Sequence, residues 1–254
     1  MKIVLCSPSY KRPYVETLEY LPFCKVYVDE LEAPQYRAQN PEGSNIIACP
    51  QWVQWNVSRI RNYILDQEFK DGADCVIIVD DDMKSIGRFE KGEDIMLNPD
   101  EFYEFAEKYT IMCRDLWAYE WWMNLNNDKK CYREYSPFST TAPILGPFQA
   151  FIDNAGGLRY DESLPLKEDY DMSIQQLNKY RKTLRLNMYH YNCKQSVNKG
   201  GCATYRNIER EMQQLNALKR KWGSRIVKED TYSNKKNRKH KDYNPQIHIP
   251  IKWI

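Results

Sequence analysis

The chain has 254 residues, of which 42% are hydrophobic and 28% charged, and a formal net charge of +2. That balance suits one compact α/β domain and excludes wholesale disorder, and no apolar run approaches the roughly 18 residues of a membrane span. Eight cysteines lie scattered without a CxxC pair, which argues for reduced core thiols rather than a zinc ribbon or a disulfide framework.

Met1 leads directly into the strand-like Lys2-Ile3-Val4-Leu5-Cys6, with no signal-peptide pattern, so an intracellular, cytoplasmic protein is expected. A polar turn, Ser7-Pro8-Ser9-Tyr10-Lys11-Arg12-Pro13, precedes a helix near 14–20. A second strand is predicted at 25–28, then a loop with Pro34, Pro41 and Gly43, a short strand at 46–48 and a helix over about 53–69. Gly72-Ala73-Asp74 punctuates the chain before Cys75-Val76-Ile77-Ile78-Val79, a continuous apolar run of the kind buried on both faces of a sheet. That run stops at Asp80-Asp81-Asp82.

Beyond it, the spacing of Phe102, Phe105, Tyr109, Met112, Leu116 and Tyr119 predicts a helix over about 100–119, and the polar, aromatic stretch to 136 reads as an insertion. Strand signals return at 144–152. After Gly156-Gly157 come a loop, an acidic helix start at Glu168-Asp169, a strand at 184–191 and an amphipathic helix over about 205–222. Strands alternating with helices imply a mainly parallel sheet with helices on both faces, with ligands beyond the carboxyl ends of the strands. The stretch 219–241 holds ten Lys or Arg against Glu229 and Asp230; such an arm suits a polyanion such as nucleic acid, and equally a solvated tail.

Three adjacent carboxylates at a strand end repel one another unless a cation or hydrogen-bond donors compensate. A divalent metal with oxygen ligands is the natural partner, and side-chain alternation puts Asp80 and Asp82 on one side and Asp81 on the other; an acidic turn is the plainer reading. Glu168 and Asp169 at a helix start satisfy capping and the helix dipole, or supply a general base. Arg12 and Arg61 either assist a phosphate or are ordinary surface charge. Lys199-Gly200-Gly201-Cys202 reads either as a plain turn or as backbone approaching a pyrophosphate, with Lys199 as a point charge.

In four ordered places, from residue 2 to 191, the chain resembles GT-A glycosyltransferases: the opening around Pro8 and Ser9, the Arg61-Asn62 helix, the DxD-like Asp80-Asp81-Asp82, and Tyr160-Asp161-Glu162 through Glu168-Asp169. The resemblance implies a Rossmann-like GT-A domain over 1–204, with a nucleotide-sugar half at 1–83, an acceptor half at 84–204, and a C-terminal helix and basic tail at 205–254. It implies donor contacts from Pro8, Ser9, Arg12, Arg61, Asn62, Asp80 and Lys199. It also implies Mn2+ or Mg2+ on Asp80, Asp82 and His190, and an inverting displacement with Asp169 as base beside Glu168. A lone histidine between Tyr189 and Tyr191 is otherwise structural.

More narrowly, Tyr-Lys-Arg-Pro, Asp-Asp-Asp-Met and Lys-Gly-Gly-Cys resemble the TET-associated glycosyltransferases, largely phage-encoded enzymes grouped with transferases for base J and hydroxymethylpyrimidine DNA. That implies transfer from a nucleotide sugar, UDP-linked by default, to a hydroxymethylated DNA base in the host cytoplasm. Trp117, Trp121 and Trp122 then either line a pocket for an extruded base or pack as core. The rival readings are a glycosyltransferase for protein, lipid-linked or polysaccharide acceptors, a nucleotidyltransferase, and a non-catalytic DNA-binding module.

Overall fold

The computed structural model describes residues 1–125, 135–143, 146, 148–193, 200–231 and 243–250. The chain runs β1 (Ile3–Pro8), α1 (Thr17–Tyr20), β2 (Lys25–Asp29), α2 (Ala33–Gln39), β3 (Ile46–Cys49), α3 (Val57–Lys70) and β4 (Cys75–Ile78). It continues through β5 (Met83–Glu90), β6 (Glu93–Met96), α4 (Phe102–Asp115), β7 (Glu120–Leu125), β8 (Phe138–Ser139) and β9 (Gln149–Ile152). Then follow α5 (Glu168–Tyr180), β10 (Leu184–Cys193), α6 (Ile208–Trp222), β11 (Val227–Glu229) and β12 (Pro245–Ile247).

One sheet takes the order β3-β2-β1-β4-β9-β7-β10-β5-β6, with β8 also on β10. Its first four strands are parallel, with Leu5 opposite Ile77 and Ser7 opposite Val26. β9 enters antiparallel between β4 and β7, and β7 pairs parallel with β10. Alternate residues of β1 and β4 enter two different cores. Leu5 and Ile77 pack with Phe105 and Ala106 of α4, whereas Val4, Cys6, Val76 and Ile78 pack with Ile60 and Ile64 of α3 and Met172 of α5. This two-sided burial is why the β4 sequence is apolar without interruption.

The predicted strands and helices are present with shifted ends, but two stretches differ. The stretch to 136 that reads as an insertion begins with β7, a buried strand inside the sheet between β9 and β10, and the expected loop around Pro34 forms α2. α3 starts at Val57 rather than 53 because the Asn56 side chain accepts from the N–H of Ser58 and Arg59, the signature of an N-cap. α6 starts at Ile208, where Asn207 accepts from Arg210 N–H. The hairpin β5–β6 carries no clear sequence signal: it lies at the sheet edge and β6 is exposed along its whole length, so charged residues are tolerated there.

The C-terminal helix packs away from the sheet. Leu215 and Leu218 of α6 form a third core with Leu164, Ile174 of α5 and Val227. Lys221 is tied to Asp161 at 2.7 Å and to Asp171 at 2.9 Å, and Trp222 Nε1 donates to Asp171 Oδ1 at 2.7 Å. The start of the basic stretch is thus structural, and 232–242 lies outside the described residues. The seven described cysteines are free, five of them buried. Among the described residues no helix is long and apolar enough to cross a membrane.

Candidate active site

β4 ends at Ile78, so the aspartates sit in the turn to β5 rather than on the strand. Thr17 sets the shape of that turn. Its Oγ1 donates to Asp80 O at 2.7 Å and accepts from Met83 N at 2.9 Å, while its own N–H donates to Asp81 O at 3.2 Å. The carboxylates consequently do not follow strand alternation. Asp81 accepts from Arg12 Nη1 at 2.7 Å and from Ser9 Oγ at 2.5 Å, Asp82 stands 4.0 Å from Arg12, and Asp80 stands 3.6 Å from Arg61.

Arg61 is almost wholly buried, 4% exposed, and such a cation persists only with partners. Nη1 reaches Glu168 Oε1 and Gln149 Oε1, both at 3.2 Å, Nη2 faces Asp80, and the guanidinium lies 5.6 Å from the Tyr160 ring centre. Behind it, Tyr160 Oη and Gln149 share a 2.6 Å hydrogen bond, and Gln149 Nε2 donates to the buried Glu120 at 3.1 Å. Gln149 and Glu120 in this polar chain belong to no sequence motif, and only the fold joins them to Arg61 and Tyr160.

Glu168 and Asp169 diverge. Burial pushes the Glu168 carboxyl up to about 7, with Arg61 pulling it down and Asp169 adding to the rise. Burial likewise holds the Asp80 carboxyl above the usual range, with Arg61 opposing and Asp81 reinforcing. Asp169 is half-buried and accepts from Gly146 N–H at 2.9 Å and from Tyr170 N–H at 2.8 Å. It sits in the first turn of α5, behind the N-cap position Lys167, which has no side-chain cap, and it lines the cleft.

The structure gathers Pro8, Ser9, Arg12, Arg61, Asp80, Asp82, Glu168 and Asp169 around a cleft of about 590 Å3. Asn62 is not among its lining residues; its amide exchanges hydrogen bonds with the Tyr160 backbone at 2.7 and 2.9 Å. Nor does His190 line the cleft. It is fully buried, 3.4 Å from Asp94, and the strand opposite has a glycine, Gly87, against its ring. Burial holds this imidazole below its ordinary value, opposed by Asp94.

Lys199 lies outside the described residues, but the glycines after it close on the β1 loop. Gly201 N–H donates to Tyr10 O at 2.8 Å. Gly200 has φ +102°, and a Cβ there would stand 2.7 Å from both Arg12 Cγ and Lys11 O, so glycine is required. Of the tryptophans, Trp121 is core, Trp117 is 78% exposed in the turn leading into β7, and Trp122 lines the cleft. At the cleft mouth Tyr10, of the Tyr-Lys-Arg-Pro opening, and Trp55, which no motif marks, bring their rings 5.2 Å apart.

The donor set fits a hard divalent cation. Asp80 opens toward the cleft with its carboxyl raised by burial and by Asp81, a strain that a cation relieves. Among the described residues no three His, Cys, Asp or Glu converge as a complete metal cage; one or two carboxylates are what a diphosphate-bound magnesium or manganese takes.

Among solved structures, the S. aureus TarS 1-349 crystal structure shares 16% identity at a TM-score of 0.47, covering 76% of this chain and 60% of that one. The same TarS segment in complex with UDP gives 14%, 0.44, 77% and 62%, and a mycobacterial protein gives 10%, 0.49, 97% and 83%. The chain thus spans about 60% of the TarS structures, and superpositions this loose carry no argument about activity. No curated protein sequence matches. A family profile, TET-Associated Glycosyltransferase, does match over residues 23–201, from just before β2 through the Gly200-Gly201 turn, and this covers the aspartate turn, Arg61 and the Glu168-Asp169 helix start. The chain belongs to the TET-associated glycosyltransferase family.

Proposed function

We propose that the chain moves a sugar from a nucleoside diphosphate sugar to a hydroxyl acceptor, and that this acceptor is the hydroxymethyl group of a modified pyrimidine in DNA. The observation that carries the reading is Arg61. One buried guanidinium joins the turn after β4 to the start of α5, setting a diphosphate-type site against a base-type carboxylate in a single cleft.

The acceptor oxygen bonds to the anomeric carbon as the bond from that carbon to the diphosphate oxygen breaks. The nucleoside diphosphate leaves with the electron pair, and the hydroxyl proton passes to Asp169, whose two backbone donors fix its orientation. A single displacement of this kind inverts the anomeric centre. Arg12 and Arg61 present positive charge toward the diphosphate, with Pro8 and Ser9 beside it. Asp80 and Asp82 would hold a manganese or magnesium ion, which when bound neutralises charge on the leaving diphosphate. The UDP sugar remains the default donor. A DNA acceptor is supported by family membership and by the basic stretch 219–241.

The test is transfer from a panel of nucleotide sugars, with and without manganese, onto duplex DNA containing hydroxymethylcytosine or hydroxymethyluracil, read by nucleoside mass spectrometry. A metal-dependent gain of one sugar mass is expected. Donor hydrolysis with unmodified DNA would move the acceptor to protein or glycan, and nucleotide transfer with pyrophosphate release would make the enzyme a nucleotidyltransferase. A folded protein that turns over no donor would be a binding module.

A further inference from the structure

Four arginines line the cleft: Arg12, Arg61, Arg185 and Arg206. Three face carboxylates, Arg12 on Asp81 at 2.7 Å, Arg61 on Glu168 at 3.2 Å and Arg206 on Glu211 at 3.1 Å. Arg185 differs. Its Nε donates to Asn124 Oδ1 at 2.9 Å, its Nη2 donates to the same oxygen, and its guanidinium lies 4.7 Å from the centre of the Trp122 ring. Every described partner of this half-buried cation is neutral.

Both supports are rigid. Asn124 is 1% exposed and its own amide donates to Asn187 O at 2.8 Å. Trp122 is 3% exposed, and its indole N–H has no acceptor among the described residues. A guanidinium has five N–H donors. Two point at Asn124, and of the remaining three, one on Nη1 and the outer one on Nη2 form the end-on pair that matches two oxygens of a phosphate. A half-buried cation held in one orientation by Asn124 and the Trp122 ring, with no carboxylate beside it among the described residues, keeps its outer donors directed to an anionic ligand.

Its position says which anion. Arg185 pairs with Trp122 across β10–β7, and β7 borders β9, which carries Arg61's partner Gln149. At about 4.8 Å per strand, β10 lies roughly 10 Å beyond β9, on the side away from β1–β3. That leaves room for a sugar between a diphosphate at Asp80 and Arg61 and a second anion at Arg185.

We propose that Arg185 is an anion subsite on the acceptor side of the cleft, taking the backbone phosphate adjacent to the reacting hydroxymethyl nucleotide. This rests on the reading of DNA as acceptor and deepens it: the cleft recognises the phosphate as well as the base. Arg185 orients the strand while Asp169 takes the hydroxyl proton, so a phosphate-free nucleoside lacks that hold.

The experiment compares wild type, R185Q and R185K in two assays. The first measures equilibrium binding of a fluorescein-labelled, hydroxymethylcytosine-containing single-stranded oligonucleotide against salt, without donor. The second measures transfer to that oligonucleotide and to the free nucleoside. R185Q is expected to weaken oligonucleotide binding about tenfold or more, as loss of a charged hydrogen bond does, and to lower the salt slope by about one. KM for the nucleoside and for the donor should not move, which also shows that the variant is folded, and R185K should recover part of the affinity. Equal oligonucleotide affinity and salt slope in wild type and R185Q would overturn the subsite. So would a rise in donor KM alone, which would place the anion on the sugar nucleotide, or no oligonucleotide binding by wild type. Arg185-dependent binding without transfer would keep the subsite and remove the proposed reaction; transfer indifferent to R185Q would do the reverse.

Discussion

Arg61 and Asp80 stand 3.6 Å apart between α3 and the turn after β4, and the same guanidinium reaches Glu168 at 3.2 Å. Removing it in Arg61→Met leaves the buried Glu168 carboxyl, and Asp80 at the cleft, without this cation. Breaking a buried pair in this way costs about 3 kcal/mol or more, so the melting temperature should fall by several degrees in a thermal scan. Donor binding, followed by calorimetry, should weaken together with it. Arg61→Lys retains the charge but cannot fork to Glu168 and Asp80 at once, and should fall between the two.

Asp169→Asn keeps the shape of the side chain and can still accept a hydrogen bond, but it cannot take a proton. Transfer should drop by about 10²–10⁴ in kcat with donor KM unchanged, as read in steady-state assays. Full transfer by this variant would remove Asp169 as the base; lost donor binding would make its role structural.

Glu168 makes stability depend on pH. Its folded-state value is about 7 against 4.5 for the free side chain, so between these limits the folded protein holds a proton that the unfolded chain has released. Its contribution to stability therefore declines as pH rises through that window, and the penalty is complete above about 7. In urea titrations, the stability of Glu168→Gln relative to wild type should rise from pH 4.5 to about 7 and then level off.

Chelation should abolish transfer, and added manganese or magnesium should restore it. Because Asp80 faces Arg61 while Asp81 is engaged by Arg12 and Ser9, Asp80→Asn should raise the metal concentration for half-activation at least about tenfold, by the loss of a charged ligand. Manganese titration followed by electron paramagnetic resonance would show the change directly. An unshifted titration would move the metal off Asp80.

Gly87→Ala probes the packing behind His190. The added Cβ would stand 2.5 Å from His190 Cε1 and 2.7 Å from Asp94 Oδ1. Overpacking of this kind costs about 1–3 kcal/mol. The midpoint of urea unfolding should shift down accordingly.

Local patterns make much of the scaffold legible. The apolar β4 run, the period of α3 and the Asp80-Asp81-Asp82 stop are consequences of burial on both faces and of a polar cleft beyond the strand end, and they can be read without knowing what packs where. β6 is illegible for the same reason reversed: an exposed edge strand needs no apolar alternation, so its charged residues leave no periodic trace. Thr17, which shapes the aspartate turn, acts in part through two side-chain hydrogen bonds spanning 63 and 66 residues of chain, and local spacing is blind to such bonds.

By itself the sequence determined β1–β4, α3, α4, α6 and β10, the presence of an acidic turn and an acidic helix start, and a resemblance that the family match supports, while α2 and the strands β5–β8 were not legible. Tertiary structure alone decided which of those charges meet. Arg61 and Glu168 are separated by 107 residues and Arg185 and Asn124 by 61, so their pairing depends on strand order and register rather than on spacing. The physical reason is burial. A cation excluded from water must take its partners from whatever the fold brings within about 4 Å, and that distance is set by the sheet.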